Sequence, residues 1–293
     1  KRRVAVWLLF CNYGIKKCVL ARRKIASTII STEGIINRIL KKRKGNRDGG
    51  KTMNQTERRQ FLIRSLLKER PEYQEIDIPT EADGQRQLLR GLMNIRNPEP
   101  IATDFLKMQD EYLQGETAAK GVTDVTNLVP VQPGLYLWQG DITTLKCDAI
   151  VNAANSGMTG CYIPNHRCID NAIHTFAGVE LRLACAELMK RQGCPEPTGG
   201  AKITPGFNLP CKYIIHTVGP IVQGRVTERD RKLLSSCYRS CLELAAENGL
   251  ESVAFCCISS GEFHFPNDLA AETAIKTVRD FMTKQTSVKR VIF

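Results

Sequence analysis

The chain predicts an α/β domain, a mostly parallel sheet covered by helices on both faces, with a small helical region in front of it. Three observations carry this. After Gly134, short apolar runs alternate with amphipathic stretches, and strands that alternate with helices build layered parallel sheets. The run Ala149-Ile150-Val151-Asn152-Ala153 is apolar enough to be buried on both faces. Between Met53 and residue 115 the apolar spacing is helical. The 293 residues are 42% hydrophobic and 25% charged, a globular balance that excludes a wholly disordered or collagenous chain. A membrane-spanning helix needs about 20 apolar residues, and the best run, residues 4–11, has eight.

The net charge of +12 is uneven. Residues 1–52 carry 15 Lys and Arg against Glu33 and Asp48, whereas residues 53–293 carry 27 against 28 acidic residues. With no excess positive charge beyond residue 52, nucleic-acid binding is not expected. Lys1-Arg2-Arg3 ahead of an apolar run resembles part of a signal peptide. However, Ala-x-Ala-type cleavage chemistry is missing, and basic clusters follow at Lys16-Lys17, Arg22-Arg23-Lys24 and Lys41-Lys42-Arg43-Lys44. Met53 is the expected biological start, with residues 1–52 as upstream sequence outside the native fold. A basic arm for an acidic surface is the alternative. A cytoplasmic setting is expected, and the 12 irregularly spaced cysteines are not expected to form disulfides.

From Met53 the elements follow in order. Asn54 or Thr56 caps a first helix carrying Phe61, Leu62, Leu66 and Leu67, which Pro71 and the acidic stretch to Asp83 end. A second helix, residues 85–94, aligns Leu88, Leu89, Leu92 and Met93, and a third covers 101–113. Residues 53–125 thus form a helical extension. Residues 115–133, with Thr, Asn, Gly and Pro, form a linker into a main domain spanning 126–293. There 135–138 and 149–153 are predicted strands, and 169–191 one long helix with Ile173, Phe176, Leu181, Cys185 and Leu188 inward. Strand 213–218, helix 229–248, strand 252–258, helix 269–284 and strand 288–293 follow, the last stopping mid-strand. Such sheets bind ligands at the carboxyl ends of their strands, so the loops there hold the candidates.

Asp141, in Gly140-Asp141-Ile142-Thr143, is placed to accept a hydrogen bond from an exocyclic amine, or simply to cap a turn. Asn152-Ala153-Ala154-Asn155-Ser156 offers two amides with only alanines between them, suited to a ribose or to an Asn-stabilised turn. Cys161-Tyr162-Ile163-Pro164-Asn165-His166-Arg167-Cys168 is Cys-x4-His-x-Cys, and two thiolates with an imidazole suit zinc. Three ligands without an obvious fourth match catalytic zinc sites, which keep one position open. Cys185, Cys237 and Cys241 are predicted small core residues instead. Asp170 is an N-cap or first-turn acid of the next helix, and His174 a core histidine. In Ser259-Ser260-Gly261-Glu262-Phe263-His264-Phe265-Pro266, small residues ahead of a helix let backbone N–H groups reach a diphosphate. Glu262 must then point outward.

Together these segments, with Ile169-Asp170-Asn171-Ala172-Ile173-His174, Gly199-Gly200-Ala201-Lys202-Ile203-Thr204 and Ile215-His216-Thr217-Val218-Gly219-Pro220, resemble the macrodomain family of ADP-ribose-binding modules. The six motifs run in order over residues 134–293. The cysteine–histidine insertion resembles the zinc-dependent protein-ADP-ribosyl hydrolases of that family. Microbes often encode these beside a sirtuin-type ADP-ribosyltransferase and a lipoylated carrier protein, and they carry a helical N-terminal extension. The resemblance implies a three-layer α/β/α sandwich that continues past Phe293. It implies that Asp141, with the Ile142 backbone, binds adenine. Ser259, Ser260, Gly261, Glu262, Phe263 and Phe265 would cradle the diphosphate and proximal ribose. Asn155 would hold the distal ribose and be catalytic there, and Asn152, from its amide alone, stays a ligand-binding candidate beside it. Zinc (Zn2+) would sit near that ribose on Cys161, His166 and Cys168. Asp170 matches the position of an acid proposed for catalysis. The implied activity removes mono-ADP-ribose from modified protein side chains, as Asp or Glu esters. A non-catalytic ADP-ribose reader with structural zinc, or an O-acetyl-ADP-ribose deacetylase, would use the same residues.

Overall fold

The computed structural model describes residues 53–293; the basic segment 1–52, and the expectation attached to it, lies outside the described residues. Three helices come first: α1 (Gln55–Lys68), α2 (Ala82–Ile95) and α3 (Thr103–Lys120). Asn54 starts α1 through a reciprocal cap. Its side-chain oxygen accepts from the Thr56 and Glu57 N–H groups, and Glu57 accepts from the Asn54 N–H at 2.8 Å. Leu62 and Ile63 of α1, Leu89 and Met93 of α2 and Leu113 of α3 share a core that Val179 joins from the next layer. α3 runs past Gly115 into the expected linker. Gly115 does not break it because it lies against Gln55 of α1, where a Cβ would fall 2.6 Å from that side chain. The helix ends at Gly121, whose φ is +88°.

The strands are β1 (Thr123–Asp124), β2 (Leu135–Tyr136), β3 (Leu145–Lys146), β4 (Ala149–Ala154), β5 (Ala201–Pro205), β6 (Tyr213–Val218), β7 (Ser252–Ala254) and β8 (Arg290–Ile292). Helices α4 (Ile169–Ala177), α5 (Val179–Gln192), α6 (Glu228–Glu247) and α7 (Asn267–Met282) connect them. β1 and β3 form a short parallel pair. The others make one sheet in the order β2-β8-β7-β4-β6-β5, parallel except for β5 against β6. Successive strand residues face opposite layers. Ala149 and Val151 of β4 enter a core with Leu234 and Tyr238 of α6 and Val278 of α7, whereas Ile150 enters one with Ile173 of α4 and Leu181 of α5. The result is the three-layer α/β/α sandwich, with a mostly parallel mixed sheet, that the sequence predicts.

Two departures have physical causes. β5 is absent from the predicted elements because Lys202, Thr204 and Pro205 interrupt any apolar run. An edge strand needs only one bonded side and tolerates a terminal proline. The single helix expected over 169–191 is two helices, broken at Gly178 with φ +96°. A Cβ there would fall 2.6 Å from Gln109 of α3, whose Oε1 accepts the Val179 N–H at 2.9 Å and so satisfies the new helix start. Among the described residues no helix is long and apolar enough to cross a membrane.

Asp148, just ahead of β4, ties three strands together. Its carboxylate accepts from the N–H groups of Glu251 and Ser252 at 2.9 and 3.0 Å, from Ser252 Oγ at 2.9 Å and from Lys212 Nζ at 2.7 Å. Burial alone would raise this carboxyl, but the bonds from Lys212, the Glu251 N–H and Ser252 outweigh it and hold it below the usual carboxylate range. Its stabilisation is therefore present above the unfolded carboxyl pKa, near 3.9, and lost as pH falls through the lower folded value. Asp148→Ala leaves the Ser252 and Glu251 donors without their acceptor and should cost about 1–3 kcal/mol in urea unfolding at neutral pH. The variant should also lose less stability than the wild type below about pH 4.

Candidate active site

The loops at the carboxyl ends of β2, β4 and β7 supply the predicted site residues. At the end of β4, Asn152 is fully buried. Its Nδ2 donates to Asp170 Oδ1 at 2.8 Å and lies 3.1 Å from His216 Nδ1 on the neighbouring strand β6. An amide nitrogen can only donate, so His216 Nδ1 is unprotonated and its proton sits on Nε2, 2.9 Å from Thr204 Oγ1. Burial lowers His216 to about 3, so the ring is neutral. Asn155 lies three residues on, at the surface. Its Nδ2 donates to Gly160 O at 3.1 Å and to Asp170 Oδ2 at 3.3 Å, while its Oδ1 accepts the Gly157 N–H at 3.0 Å.

Asp170, in the first turn of α4, is 5% exposed. The N-cap itself is Cys168, whose sulfur accepts the Asn171 N–H at 3.4 Å. Burial raises Asp170 to about 6, against the Asn152 and Asn155 amides and the Arg182 charge, which favour its ionised form. His174, one turn on, is buried as predicted, with Nε2 3.6 Å from Asp170 Oδ1. Burial, His216 and Arg182 together hold it well below its usual pKa, so this contact is not an ion pair.

The loop between β4 and α4 folds Cys161, His166 and Cys168 together. Their ligand atoms all lie within 4.8 Å of one another, a set able to hold a metal ion. Cys161 Sγ is 3.6 Å from His166 Nδ1, and His166 Nε2 is 3.5 Å from Glu262 Oε1. Glu262 thus points outward, as the sequence requires of it, and reaches the imidazole. Burial pushes the Cys168 thiol up to about 12, with the Asn171 N–H opposing and the Cys161 and Asp170 charges adding.

Beyond β7 the loop 259–265 is drawn tight. Phe265 N–H donates to Ser259 O at 2.9 Å, His264 N–H to Gly261 O at 3.0 Å, and Val222 N–H to Phe263 O at 2.9 Å. Ser259 and His264 take φ of +64° and +56°. Among the described residues, the N–H groups of Gly261, Glu262 and Phe263 donate to no backbone carbonyl. α7 begins directly after this loop, so its N-terminus faces the same edge.

At β2, Asp141 caps a short 3-10 turn. Its Oδ1 accepts from the Thr143 N–H and hydroxyl at 3.0 and 2.6 Å, and its Oδ2 from Lys120 Nζ at 2.9 Å. Burial would raise this carboxyl, but the Thr143 and Lys120 bonds prevail and lower it. Lys120 also lies 3.3 Å over the Phe176 ring.

Two predicted ligand residues take a different part. Asn152 is sealed beneath the surface and holds Asp170. Phe265, 1% exposed, is a core residue under the loop; the Ile142 side chain is also buried, which leaves only its backbone, the part the sequence assigned, toward the Asp141 turn. Lys120, His216, Thr204 and Arg182 touch the site without having been singled out for it. Their partners are distant in sequence, and only the two motifs that hold Thr204 and His216 offered a signal.

A three-layer sandwich with an asparagine-and-aspartate cluster at the end of its central strand, and a tight loop ahead of a helix beside it, defines the macrodomain class. Residues 151–274 match the family model described as Macro domain. The chain is 57% identical over 245 residues to a protein-ADP-ribose hydrolase of Treponema medium, covering 82% of this chain and 94% of that protein. It is 47% identical over 238 residues to the protein-ADP-ribose hydrolase of Staphylococcus aureus strain MSSA476, covering 80% and 89%. A solved Trypanosoma brucei macrodomain in complex with ADP-ribose superimposes with a TM-score of 0.53 at 29% identity, over 69% of this chain and 88% of that one. The chain belongs to the macro domain family.

Gly160 tests how tightly the cluster is closed. Its φ is +87°, and a Cβ would fall 2.7 Å from the buried His174 ring. Gly160→Ala should destabilise the fold by about 1–3 kcal/mol in thermal or urea unfolding.

Proposed function

We propose that the chain is a zinc-dependent protein-ADP-ribose hydrolase that removes mono-ADP-ribose from modified protein side chains linked as Asp or Glu esters. The observation that carries this is the order of the loops along the carboxyl edge of the sheet. Asp141 follows β2, the 259–265 loop follows β7 and Asn155 follows β4, and these strands lie in that order. From β2 to β4 is three strand steps of about 4.8 Å, or about 14 Å. Along that line stand an acceptor for the adenine amine, a row of backbone N–H groups at a helix start for a diphosphate, and an amide with a carboxylate for the distal ribose. The adenine amine would compete with Lys120 for Asp141.

Cys161, His166 and Cys168 would hold the metal beside that ribose end. Zinc bonds of about 2.3 Å to sulfur and 2.0–2.1 Å to nitrogen, at a tetrahedral angle, separate two ligand atoms by about 3.6 Å. That is the 3.6 Å between Cys161 Sγ and His166 Nδ1, and with all three ligand atoms within 4.8 Å of one another the donor chemistry suits the ion. A zinc ion there would supply Lewis acidity to an oxygen of the scissile group or of water. Asn155, its amide fixed at both ends, would orient the distal ribose. Asp170 carries two amide donors and is poised near neutrality, so it can accept a proton from the attacking oxygen or orient it. The modified partner, which the family resemblance points to as a lipoylated carrier protein, and a cytoplasmic setting belong to the same proposal.

The test incubates the protein with a mono-ADP-ribosylated protein, with and without a zinc chelator, and follows ADP-ribose release. Release should be chelator-sensitive and fall about 100-fold or more in Asn155→Ala and Cys161→Ala. O-acetyl-ADP-ribose run in parallel should be the poorer substrate. Tight ADP-ribose binding without release would instead make the protein a reader with structural zinc.

A further inference from the structure

The helical region in front of the sheet grips the loop that carries Cys161, His166 and Cys168, and the grip comes from one short stretch of α2. Arg90 Nη2 donates to His166 O at 2.9 Å and to Asn171 Oδ1 at 2.8 Å, and Arg90 Nε donates to the same Asn171 Oδ1 at 3.1 Å. Asn171 is fully buried and passes the restraint on, its Nδ2 donating to Ile163 O at 3.0 Å. One turn along α2, Asn94 Oδ1 accepts the Asn165 N–H at 3.0 Å, while Asn94 Nδ2 donates to Thr175 Oγ1 of α4 at 3.0 Å. Between them, Gly91 faces the loop directly: a Cβ there would fall 3.3 Å from Asn165 Nδ2 and in ordinary contact, 3.8 Å, with Pro164.

The loop needs such a grip. Asn165 takes φ of +55°, in the left-handed region, immediately before the ligand His166. A non-glycine residue held there costs of order 1–3 kcal/mol and persists only where its surroundings fix it. Backbone groups of Ile163, Asn165 and His166 are all tied to α2, directly or through Asn171. A loop left without these ties would have to order itself when it met a cation, and that ordering would be subtracted from the binding free energy.

We propose that α2 acts as a clamp that preorganises the metal-ligand loop, with Arg90 as its central positioning residue and Gly91 and Asn94 beside it. This rests on Cys161, His166 and Cys168 being a metal site, as proposed above. Arg90 touches none of the ligand atoms. It acts through the His166 carbonyl and the Asn171 amide, so its loss should weaken metal binding without touching the nucleotide loops.

The test titrates the metal-free full chain with Co2+, followed by the thiolate-to-cobalt absorption band, for the wild type, Arg90→Ala and Arg90→Lys. ADP-ribose titration and thermal unfolding of the metal-free proteins report that each variant is folded. Removing a group that orients metal ligands typically lowers metal affinity about 10–100-fold, and Arg90→Ala should fall in that range. Arg90→Lys keeps the charge but not the planar fork, and should lie between the two. Metal-free ADP-ribose affinity should stay unchanged. Should Arg90→Ala not fold, Arg90→Lys decides the matter alone. Wild-type Co2+ affinity in the folded Arg90 variants would overturn the clamp. Failure of the wild type itself to give the cobalt band would instead overturn the metal site, and the clamp with it.

Discussion

A carboxylate taken out of water is costly unless hydrogen bonds replace its hydration, and the site depends on solving that problem for Asp170. Its two oxygens each receive an amide, Asn152 on one side and Asn155 on the other. An amide can be turned either way, and the wrong face of Asn152 would set oxygen against oxygen. The Asp170 carboxylate, which only accepts, turns the amide nitrogen toward itself, and His216 accommodates that orientation with an unprotonated Nδ1 while its Nε2 lies 2.9 Å from the Thr204 hydroxyl, which is able to accept there. The chain of contacts thus reaches from the edge strand β5, through β6 and β4, to the first turn of α4. The parallel pairing of β4 with β6 places Asn152 opposite His216, so strand register and site chemistry are the same constraint.

Around this fixed carboxylate the chain arranges two loops. The loop 259–265 keeps backbone donors unspent by bonding to itself at its ends. The 161–168 loop is held from outside by α2. Arg182 joins both sides of that second arrangement. Its Nη1 donates to the Asn94 and Arg96 carbonyls, both at 2.6 Å, and its guanidinium lies 4.2 Å from the Tyr162 ring. The helical extension is therefore part of the site's support.

Much of this was legible in the sequence because the physics involved is local. β4 and β6 stand out as apolar runs because both of their faces are buried. Cys161, His166 and Cys168 stand out because three potential ligands crowd one loop. What escaped depends on partners far along the chain. Arg90 meets His166 across 76 positions and Asn94 meets Asn165 across 71, with no periodicity to mark either. The break at Gly178 is hidden because inward spacing continues from Ile173 to Leu181 across it. Asn152 was assigned to ligand on its residue type, which cannot distinguish an amide that faces a ribose from one that faces a buried carboxylate.

The most direct measurement is a crystal structure of the zinc-loaded protein with ADP-ribose, including anomalous diffraction at the zinc edge. The adenine should lie at Asp141, the diphosphate on the Gly261–Phe263 backbone and the distal ribose at Asn155, with one anomalous peak between Cys161, His166 and Cys168. A nucleotide lying elsewhere on the sheet edge, or an anomalous peak away from that triad, would contradict the assignment of this edge as the hydrolase site.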